Sequence, residues 1–252
     1  MSARVIGVIP ARWGSTRFPG KSLAVIAGKT LLARVIERVR QARRLEEILV
    51  ATDDERIAAA ARACGAAAVL TRPDHPSGTD RIAEAVEGRD AGVVVNIQGD
   101  EPLIDPALID RVAGRLLDDP RWDMATAASP IASAEELHQP DVVKVVRADD
   151  GAALYFSRAP IPFVRGAGDG FAPEPGQHWR HIGLYGYRRA FLERLVKTPP
   201  CALEHLEKLE QLRALALGAR ILVLDGEAAG IGVDSPADVP RAEALLRDAG
   251  LL

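Results

Sequence analysis

The 252-residue chain has only two cysteines, Cys64 and Cys201, and they lie far apart in the sequence. They match no metal-binding spacing, so we expect neither a disulfide framework nor a zinc cluster. His178 and His181 have the i, i+3 spacing of a helical zinc pair, but no third ligand lies near them in the sequence, and Gly183 disfavours a helix there. The scarcity of cysteine is typical of the reducing cytoplasm, where we expect the protein to reside.

The chain also lacks a long apolar run and an excess of charge of one sign. The run at residues 5–9 is shorter than the core of a signal peptide or a membrane span. The net charge is −3, whereas a nucleic-acid surface needs a basic domain. We therefore expect binding to neither membranes nor nucleic acid, and any cations for an anionic ligand must be local.

Hydrophobic residues make up 48% of the chain, which is enough for a large core. Short apolar runs alternate with longer helical patterns. The runs predict strands at residues 5–9, 48–52, 68–71, 93–97 and 221–224. The patterns between them predict helices at residues 31–42, 55–64, 80–86 and 106–117. This alternation indicates an α/β fold whose mostly parallel sheet is covered by helices on both faces and binds ligands beyond the carboxyl ends of its strands.

The middle of the chain departs from this alternation. Residues 141–148 alternate and are β-branched, Asp149-Asp150-Gly151 is a turn signal, and residues 152–157 continue as a second strand. A Pro- and Gly-rich stretch follows at residues 160–176. We predict one domain over residues 1–252, with an antiparallel, β-rich inserted lobe at about residues 130–190.

The first predicted strand leads into a loop rich in glycine and cations. Arg12, Gly14, Ser15, Arg17 and Lys21 lie within it. Glycine lets backbone N–H groups approach an anion closely, and arginine offers paired donors to phosphate oxygens. The loop is therefore a candidate phosphate site, and the alternative is a solvated loop with ordinary surface cations.

This loop is not the P-loop that it superficially resembles. Five residues separate Gly14 from Gly20, where the P-loop has four. Pro19 also lies where a phosphate-binding N–H is needed, and proline has none. We therefore expect arginine side chains to carry more of the phosphate charge.

Two acidic residues follow predicted strands, and they favour a shared magnesium site. Asp100 comes just after residues 93–97, and Asp234 lies between the last predicted strand and the last helix, with Gly230 and Gly232 before it. One aspartate binds Mg²⁺ poorly, whereas two aspartates and substrate phosphates complete an octahedron. The alternative for the first segment is helix capping by Asp100 or Asp105, of which Asp105 stands directly before Pro106. The alternative for the second segment is that Ser235 caps a helix beginning at Pro236.

Residues 76–81, PSGTDR, precede another predicted helix. Ser77 and Thr79 can cap that helix, and its N-terminus can also attract an anion or a polar base. The segment alone does not separate capping from ligand binding.

These segments together resemble one family. The matching stretches are IPARWGSTRFPGK, SGTDR, NIQGDEP, VVKVV, ALYFSRAPIPF, HIGLYGYRR, LEQLR and GVDSPAD. In their order and spacing the chain is similar to the 3-deoxy-manno-octulosonate (Kdo) cytidylyltransferases over nearly its whole length. The resemblance implies a Rossmann-like sheet of the nucleotide-diphospho-sugar transferase type. It also implies the reaction CTP + Kdo = CMP-Kdo + diphosphate, which serves lipopolysaccharide biosynthesis.

The resemblance also implies roles for particular residues. The catalytic set is Arg12, Lys21, Asp100 and Asp234, of which the two aspartates would hold Mg²⁺. The nucleotide would contact Arg12, Ser15, Arg17, Lys21, Thr71, Ser77, Gly78 and Arg81. The sugar would contact Gln98, Arg158, His181, Tyr185, Glu210 and Gln211. The resemblance further implies a homodimer formed through the inserted lobe.

Two other functions remain open at this point. The chain could activate a different acidic sugar, such as sialic acid or 8-amino-Kdo. It could also be a catalytically silent sensor of sugar nucleotides. The presence of Lys21, Asp100 and Asp234 argues against a sensor, because a sensor needs no activated leaving group.

Overall fold

The computed structural model describes residues 4–15, 17–166, 173–174, 176–227 and 232–252. The strands are β1 (Val5–Ala11), β2 (Val25–Ile26), β3 (Lys29–Thr30), β4 (Glu47–Thr52), β5 (Ala67–Leu70), β6 (Val93–Asn96), β7 (Met124–Pro130), β8 (Lys144–Arg147), β9 (Ala153–Ser157), β10 (Trp179–Arg188) and β11 (Ile221–Asp225). The helices are α1 (Leu31–Val39), α2 (Glu55–Ala63), α3 (Gly78–Ala85), α4 (Pro106–Asp118), α5 (Ala134–His138), α6 (Arg189–Val196), α7 (Ala202–Glu207), α8 (Gln211–Ala216) and α9 (Asp238–Asp248).

The central sheet confirms the predicted α/β fold. Its strand order is β11-β7-β10-β6-β1-β4-β5, and β8 and β9 join it through β10. The pairs β1–β4, β1–β6, β4–β5 and β7–β11 are parallel, whereas β10 is antiparallel to both β6 and β7. Buried apolar side chains form two clusters, which pack on the sheet together with the helices. The carboxyl ends of β1, β4 and β6 therefore share one edge of the sheet.

The first strand is longer than predicted. It continues through Pro10 to Ala11, and both residues pair with β4. Pro10 is tolerated because the pairing of β1 with β6 already ends at Val8 and Asn96. A missing N–H on that side therefore removes no ladder hydrogen bond.

Local signals set the starts of two predicted helices. Asp105 accepts hydrogen bonds from the N–H groups of Ala107 and Leu108, so α4 begins at Pro106 as expected. Ser77 accepts from the N–H of Asp80, so it caps α3, which begins at Gly78 rather than at residue 80.

The end of α1 differs from the prediction. The helix stops at Val39 rather than at residue 42. Beyond it, Gln41 bonds to Arg38 and Ala42 to Val39, the tighter i to i+3 pattern of a fraying helix end.

The middle of the chain contains the predicted hairpin, but β10, the last strand of the predicted lobe, belongs to the main sheet. β8 pairs antiparallel with β9, and Lys144 of β8 also pairs with Arg180 of β10. β10 lies between β6 and β7 in the sheet, and its residues Ile182, Leu184 and Tyr187 are buried in the core. The predicted lobe, which was bounded near residue 190, therefore includes a strand of the main sheet. Residues 167–172 and 175 of that stretch lie outside the described residues.

Among the described residues, no helix combines the length and the apolar character needed to cross a membrane. Cys64 and Cys201 are both unbridged thiols.

Candidate functional site

A cavity of about 450 Å³ opens at the carboxyl ends of β1 and β6. Most of its wall comes from three chain segments: the loop after β1, the start of α3 and the loop after β6. Glu210, just before α8, and Asp234, before α9, complete it. The predicted residues that line it are Arg12, Ser15, Arg17, Lys21, Ser77, Gly78, Arg81, Gln98, Asp100, Glu210 and Asp234. The structure therefore brings together residues that the sequence placed in separate motifs. We call this space the first cavity.

Lys21 lies between the two predicted metal ligands. Its Nζ is 2.5 Å from Oδ2 of Asp100 and 3.0 Å from Oδ1 of Asp234. Arg17 adds a second cation, since its Nη2 lies 3.0 Å from Oδ2 of Asp234. Both carboxylates therefore converge on one point, although they lie far apart in the sequence.

Burial opposes the charge on Lys21, but the two carboxylates outweigh it. The charge of Asp100 and hydrogen bonds to Asp100 and Asp234 raise the pKa of Lys21 above its ordinary value. Lys21 is therefore a permanent cation at neutral pH, which suits a group that binds phosphate rather than one that transfers a proton.

A tight turn at Gly20 positions Lys21 between the two carboxylates. Gly20 has a φ of +68°, and its N–H donates to the carbonyl of Trp13 at 3.0 Å. A Cβ at Gly20 would lie 2.8 Å from Cη2 of Trp13, so glycine is required both by the backbone conformation and by the packing. Trp13 is itself held by the Arg56 guanidinium, 3.3 Å from the centre of its ring. Thr16 of this loop lies outside the described residues.

Asp238, rather than Ser235, organises the segment that carries Asp234. One oxygen of Asp238 accepts from the N–H groups of Asp234 (3.1 Å) and Ser235 (2.7 Å), and from the Ser235 hydroxyl (2.8 Å). The predicted Ser235 cap of a helix at Pro236 is therefore wrong, because α9 begins only at Asp238. A hydrogen bond from Val233 N–H to the carbonyl of Asp100 (2.9 Å) joins this segment to the loop after β6. Gly230 lies outside the described residues.

Thr71 is separated from the first cavity by Arg81. The Thr71 hydroxyl accepts from Nη1 of Arg81 at 2.5 Å and donates to the carbonyl of Thr52 at 3.1 Å. Nη2 of Arg81 lies 3.2 Å from Asp53, which also accepts from the N–H of Trp13 at 3.3 Å. Thr71 and Asp53 thus orient Arg81. Sequence reasoning missed Asp53, because nothing local marks an aspartate after β4 as a partner of Arg81.

His75 is a further lining residue that the sequence did not single out. It lines the first cavity just before Ser77, and its Nε2 is hydrogen-bonded to Glu84. The only available signal was its place immediately before the capping segment.

A second, adjoining cavity of about 270 Å³ collects most of the predicted sugar residues. It shares Pro10, Gly78, Gln98 and Glu210 with the first cavity, and its other lining residues include Thr79, Asn96, Tyr185, Tyr187 and Gln211. Gln98 donates to the carbonyl of Gly183 at 3.1 Å, and the Tyr185 hydroxyl donates to Gln211 at 3.4 Å. Polar groups from β6, β10 and α8 therefore face a common space, which is suited to a polyhydroxylated ligand.

His181 supports the second cavity without lining it. Its ring packs 5.2 Å from Phe156 and 5.2 Å from Tyr185, and its Nε2 is 2.8 Å from the Thr126 hydroxyl. Burial lowers the pKa of His181 to about 3, so its imidazole is neutral at physiological pH. The structure places it behind Tyr185.

Arg158 lines neither of these two cavities. Its Nε donates to the carbonyl of Glu207 at 2.7 Å, its Nη1 donates to that of Pro140 at 3.0 Å, and its own N–H donates to the Glu207 carboxylate at 2.9 Å. These bonds fasten the end of β9 to the end of α7. Its predicted contact with a sugar carboxylate stays a prediction.

Asp100 and Asp234 form a donor set that fits Mg²⁺. Their oxygens already converge on a cation, the Lys21 ammonium, and hard carboxylate oxygens are the ligands that Mg²⁺ prefers. In the described part of the chain, no third Asp, Glu, His or Cys completes a metal cluster. The remaining ligands would come from water and substrate phosphates.

Glu101, next to Asp100, is half-buried, with its Oε2 enclosed by the protein, and has an unusual pKa. Burial and the charge of Asp100 raise its pKa to about 7, although Arg180 opposes the shift. The sequence motif contained this residue, but only the tertiary structure reveals its burial.

A family model described as cytidylyltransferase matches residues 6–221 of the chain. Among curated proteins, the chain is 49% identical over 251 residues to a 3-deoxy-manno-octulosonate cytidylyltransferase of Bdellovibrio bacteriovorus, covering 98% of this chain and all of the relative. It is 50% identical over 250 residues to the protein of the same name from Myxococcus xanthus, covering 99% of each.

Solved structures of cytidylyl-transferring enzymes are also similar to the chain. The chain superposes with a TM-score of 0.91 and 41% identity on a CMP:2-keto-3-deoxy-manno-octonic acid synthetase complexed with CTP, covering 98% of this chain and 99% of that one. A 4-diphosphocytidyl-2C-methyl-D-erythritol synthase from Anaerococcus prevotii has a TM-score of 0.64 at 14% identity over 98% of this chain and all of its own. The second likeness concerns the fold alone.

Proposed function

This chain belongs to the cytidylyltransferase family, in the branch of the 3-deoxy-manno-octulosonate cytidylyltransferases, and we propose that it transfers the cytidylyl group of CTP to Kdo and releases diphosphate. The observation that carries the proposal is the near full-length identity of about half to relatives of that name. The two joined cavities offer a cationic end for a triphosphate and a polar end for a sugar. The product, CMP-Kdo, serves lipopolysaccharide biosynthesis.

The first cavity is proposed to bind CTP. Arg12, Arg17 and Lys21 line it on the side of the first loop and provide three cations for the triphosphate. Ser77, at the start of α3, adds polar contacts at a helix N-terminus, where partial positive charge gathers. The local cations explain how a chain of net charge −3 can bind a polyanion.

The second cavity is proposed to bind Kdo. Gln98, Tyr185, Glu210 and Gln211 line it and supply hydrogen-bonding groups for the sugar hydroxyls. Gln98 and Glu210 lie on the boundary with the first cavity, so a sugar bound there lies beside the nucleotide phosphates.

The chemistry needs positioning and charge neutralisation more than covalent participation by the protein. The anomeric hydroxyl of the sugar attacks the α-phosphorus in line, the bond from that phosphorus to the diphosphate oxygen breaks, and the hydroxyl proton passes to water. Lys21 and the two arginines stabilise the charge that develops on the leaving diphosphate. We propose no side chain as an obligatory base.

Magnesium dependence is part of the proposal. Asp100 and Asp234 would hold the ion, which when bound supplies Lewis-acid neutralisation of phosphate charge and acidifies the attacking hydroxyl. Lys21, now between the two carboxylates, would then turn its ammonium to the phosphates.

Two properties of the whole protein complete the proposal. We propose a homodimer that acts in the cytoplasm. The described residues include seven large apolar side chains that are exposed. Four of them support a dimer, because they lie in the predicted lobe or after it: Leu154, Phe163, Leu203 and Leu206.

The test is diphosphate release by purified protein with CTP, Mg²⁺ and one acidic sugar at a time: Kdo, 8-amino-Kdo or N-acetylneuraminate. We expect release with CTP and Kdo, background release without sugar, and at least about a hundredfold less with Lys21→Met, which removes the central phosphate-binding cation. Faster turnover of N-acetylneuraminate than of Kdo would assign the protein to another sugar. Binding of CMP-Kdo without any diphosphate release would identify a sensor instead.

A further inference from the structure

The segment that begins α3 contacts both cavities. Ser77 and Gly78 line the first cavity, whereas Thr79, the next residue, lines the second. Thr79 is 3% exposed, so its hydroxyl must find a partner within the protein. The hydroxyl donates to Oε2 of Glu210 at 2.6 Å, and Tyr187 is also hydrogen-bonded to the Thr79 side chain.

Glu210 is the residue just before α8. The preceding helix, α7, ends at Glu207, and Lys208, the next residue, has a left-handed conformation with a φ of +55°. The Glu210 side chain caps no N–H of α8. Within the described part of the chain, its other oxygen, Oε1, accepts no hydrogen bond from protein. The orientation of this carboxylate therefore depends on Thr79.

We propose that Thr79 is a positioning residue for the sugar. By donating to Oε2 of Glu210, it holds the carboxylate so that Oε1 is available to a hydroxyl of the acceptor. A residue of the nucleotide-binding segment thus sets the affinity for the sugar. This inference rests on the proposed function, because it assigns the second cavity to Kdo.

The decisive variant is Thr79→Val, which keeps the shape of the side chain and removes the donor. We expect its KM for Kdo to rise on the order of tenfold, the effect of losing a hydrogen bond to a charged group, while its KM for CTP changes by less than about twofold. Thr79→Ser keeps the hydroxyl, so its KM for Kdo should stay near that of the parent protein.

A cycle with Glu210→Gln separates positioning from a general structural role. If Thr79 acts through Glu210, Thr79→Val should add little to the rise in KM already caused by Glu210→Gln. Thr30→Val is the matched control, because it also removes a hydroxyl that is hydrogen-bonded within the protein, here to the N–H of Ala33 at 3.2 Å, and Thr30 lines neither cavity. Its KM for Kdo should not change.

An equal rise in both KM values, no rescue by serine, or full additivity in the cycle would each overturn the inference. If Thr79→Val does not fold, Thr79→Ala compared with Thr79→Ser carries the same test. If the parent protein releases no diphosphate with CTP and Kdo, the proposed function itself fails. An active parent with an unchanged Thr79→Val variant contradicts only the role of Thr79.

Discussion

At the scale of single residues, one lysine lies between two carboxylates in the first cavity. The Lys21 ammonium lies within 3.0 Å of both Asp100 and Asp234. Two converging carboxylates repel each other unless a cation lies between them. We expect Lys21 to hold the site together until substrate and metal arrive, and then to pair with phosphate.

Removing either carboxylate should therefore disable turnover. Asp100→Asn and Asp234→Asn should each lower kcat by at least about a hundredfold, because each removes half of the proposed protein ligands of Mg²⁺. EDTA should stop the parent enzyme, and added Mg²⁺ should restore it. Diphosphate release and the melting temperature are the measurements, with Asp118→Asn as a control outside the cavities. If either variant kept the activity of the parent enzyme, the assignment of that aspartate as a Mg²⁺ ligand would be wrong.

His181 predicts a pH dependence of stability. Its folded pKa is about 3, while an unfolded histidine has a pKa near 6.5. Between these values the unfolded chain binds more protons, so the free energy of unfolding falls as the pH drops below about 6.5. The stabilisation by neutral His181 is complete above that pH.

The measurement is urea unfolding at pH 7 and pH 5. From pH 7 to pH 5 the parent protein should lose on the order of 1 kcal/mol more than His181→Gln does. His138→Gln, which changes an exposed histidine of α5, should behave as the parent does. An identical loss in the His181 variant and the parent would contradict burial of a neutral imidazole.

Arg158 tests whether the sugar site extends to the end of β9. Arg158→Ala should raise the KM for Kdo by roughly tens- to a hundredfold, since a charge-assisted contact contributes about 2–3 kcal/mol. The KM for CTP should change little. Both constants and the melting temperature should be measured, with the exposed Arg62→Ala of α2 as a control. A rise in both KM values together with a lower melting temperature would show that Arg158 only fastens β9 to Glu207.

At the scale of elements, the helix caps set where segments begin. Asp105 accepts from two backbone N–H groups at the start of α4, which packs against β6, β7 and β10. Because α4 covers the middle of the sheet, fraying of its first turn should cost stability in the whole domain rather than locally.

Asp105→Ala should lower the free energy of unfolding by about 1 kcal/mol and the melting temperature by about 2–4 °C. Asp118→Ala is the matched control at the other end of α4, where removal of a negative charge beside the helix C-terminus is neutral or slightly stabilising. Equal melting temperatures for the two variants would show that the cap contributes nothing.

At the scale of the whole molecule, the hairpin of β8 and β9 leaves an open side. In the described residues β9 pairs as a strand only with β8, and Leu154 on it is 61% exposed. An open strand edge with an exposed leucine is a surface that folded proteins usually cover. A second copy of the chain is the proposed cover.

Light scattering at micromolar concentration should therefore give the mass of a dimer. Leu154→Glu should shift the protein towards the monomer, because it buries a charge in the proposed interface. Val25→Glu is the matched control: this side chain is also 61% exposed but lies on β2, away from the hairpin. A monomeric parent protein would refute the dimer.

The sequence alone determined those features that depend on neighbours along the chain. The apolar runs predicted β4, β5, β6 and β11 closely, and the reason is clearest for β6, since a strand buried on both faces is a continuous apolar segment. Asp105 and Ser77 marked helix starts, because a cap bonds to residues two or three positions away. The grouping of Lys21, Asp100 and Asp234 followed from the rule that parallel strands end at one edge of the sheet.

The tertiary structure decided what depends on residues distant in the chain. It placed β10 inside the sheet, showed that Asp238 rather than Ser235 holds the segment of Asp234, and set Thr71 behind Arg81. β7 was missed because its residues, MATAASP, are small, and their burial comes from what packs on them. The bond between Thr79 and Glu210 likewise joins residues from different parts of the chain. Hydrogen bonding and burial act through space, whereas sequence patterns report only local neighbours.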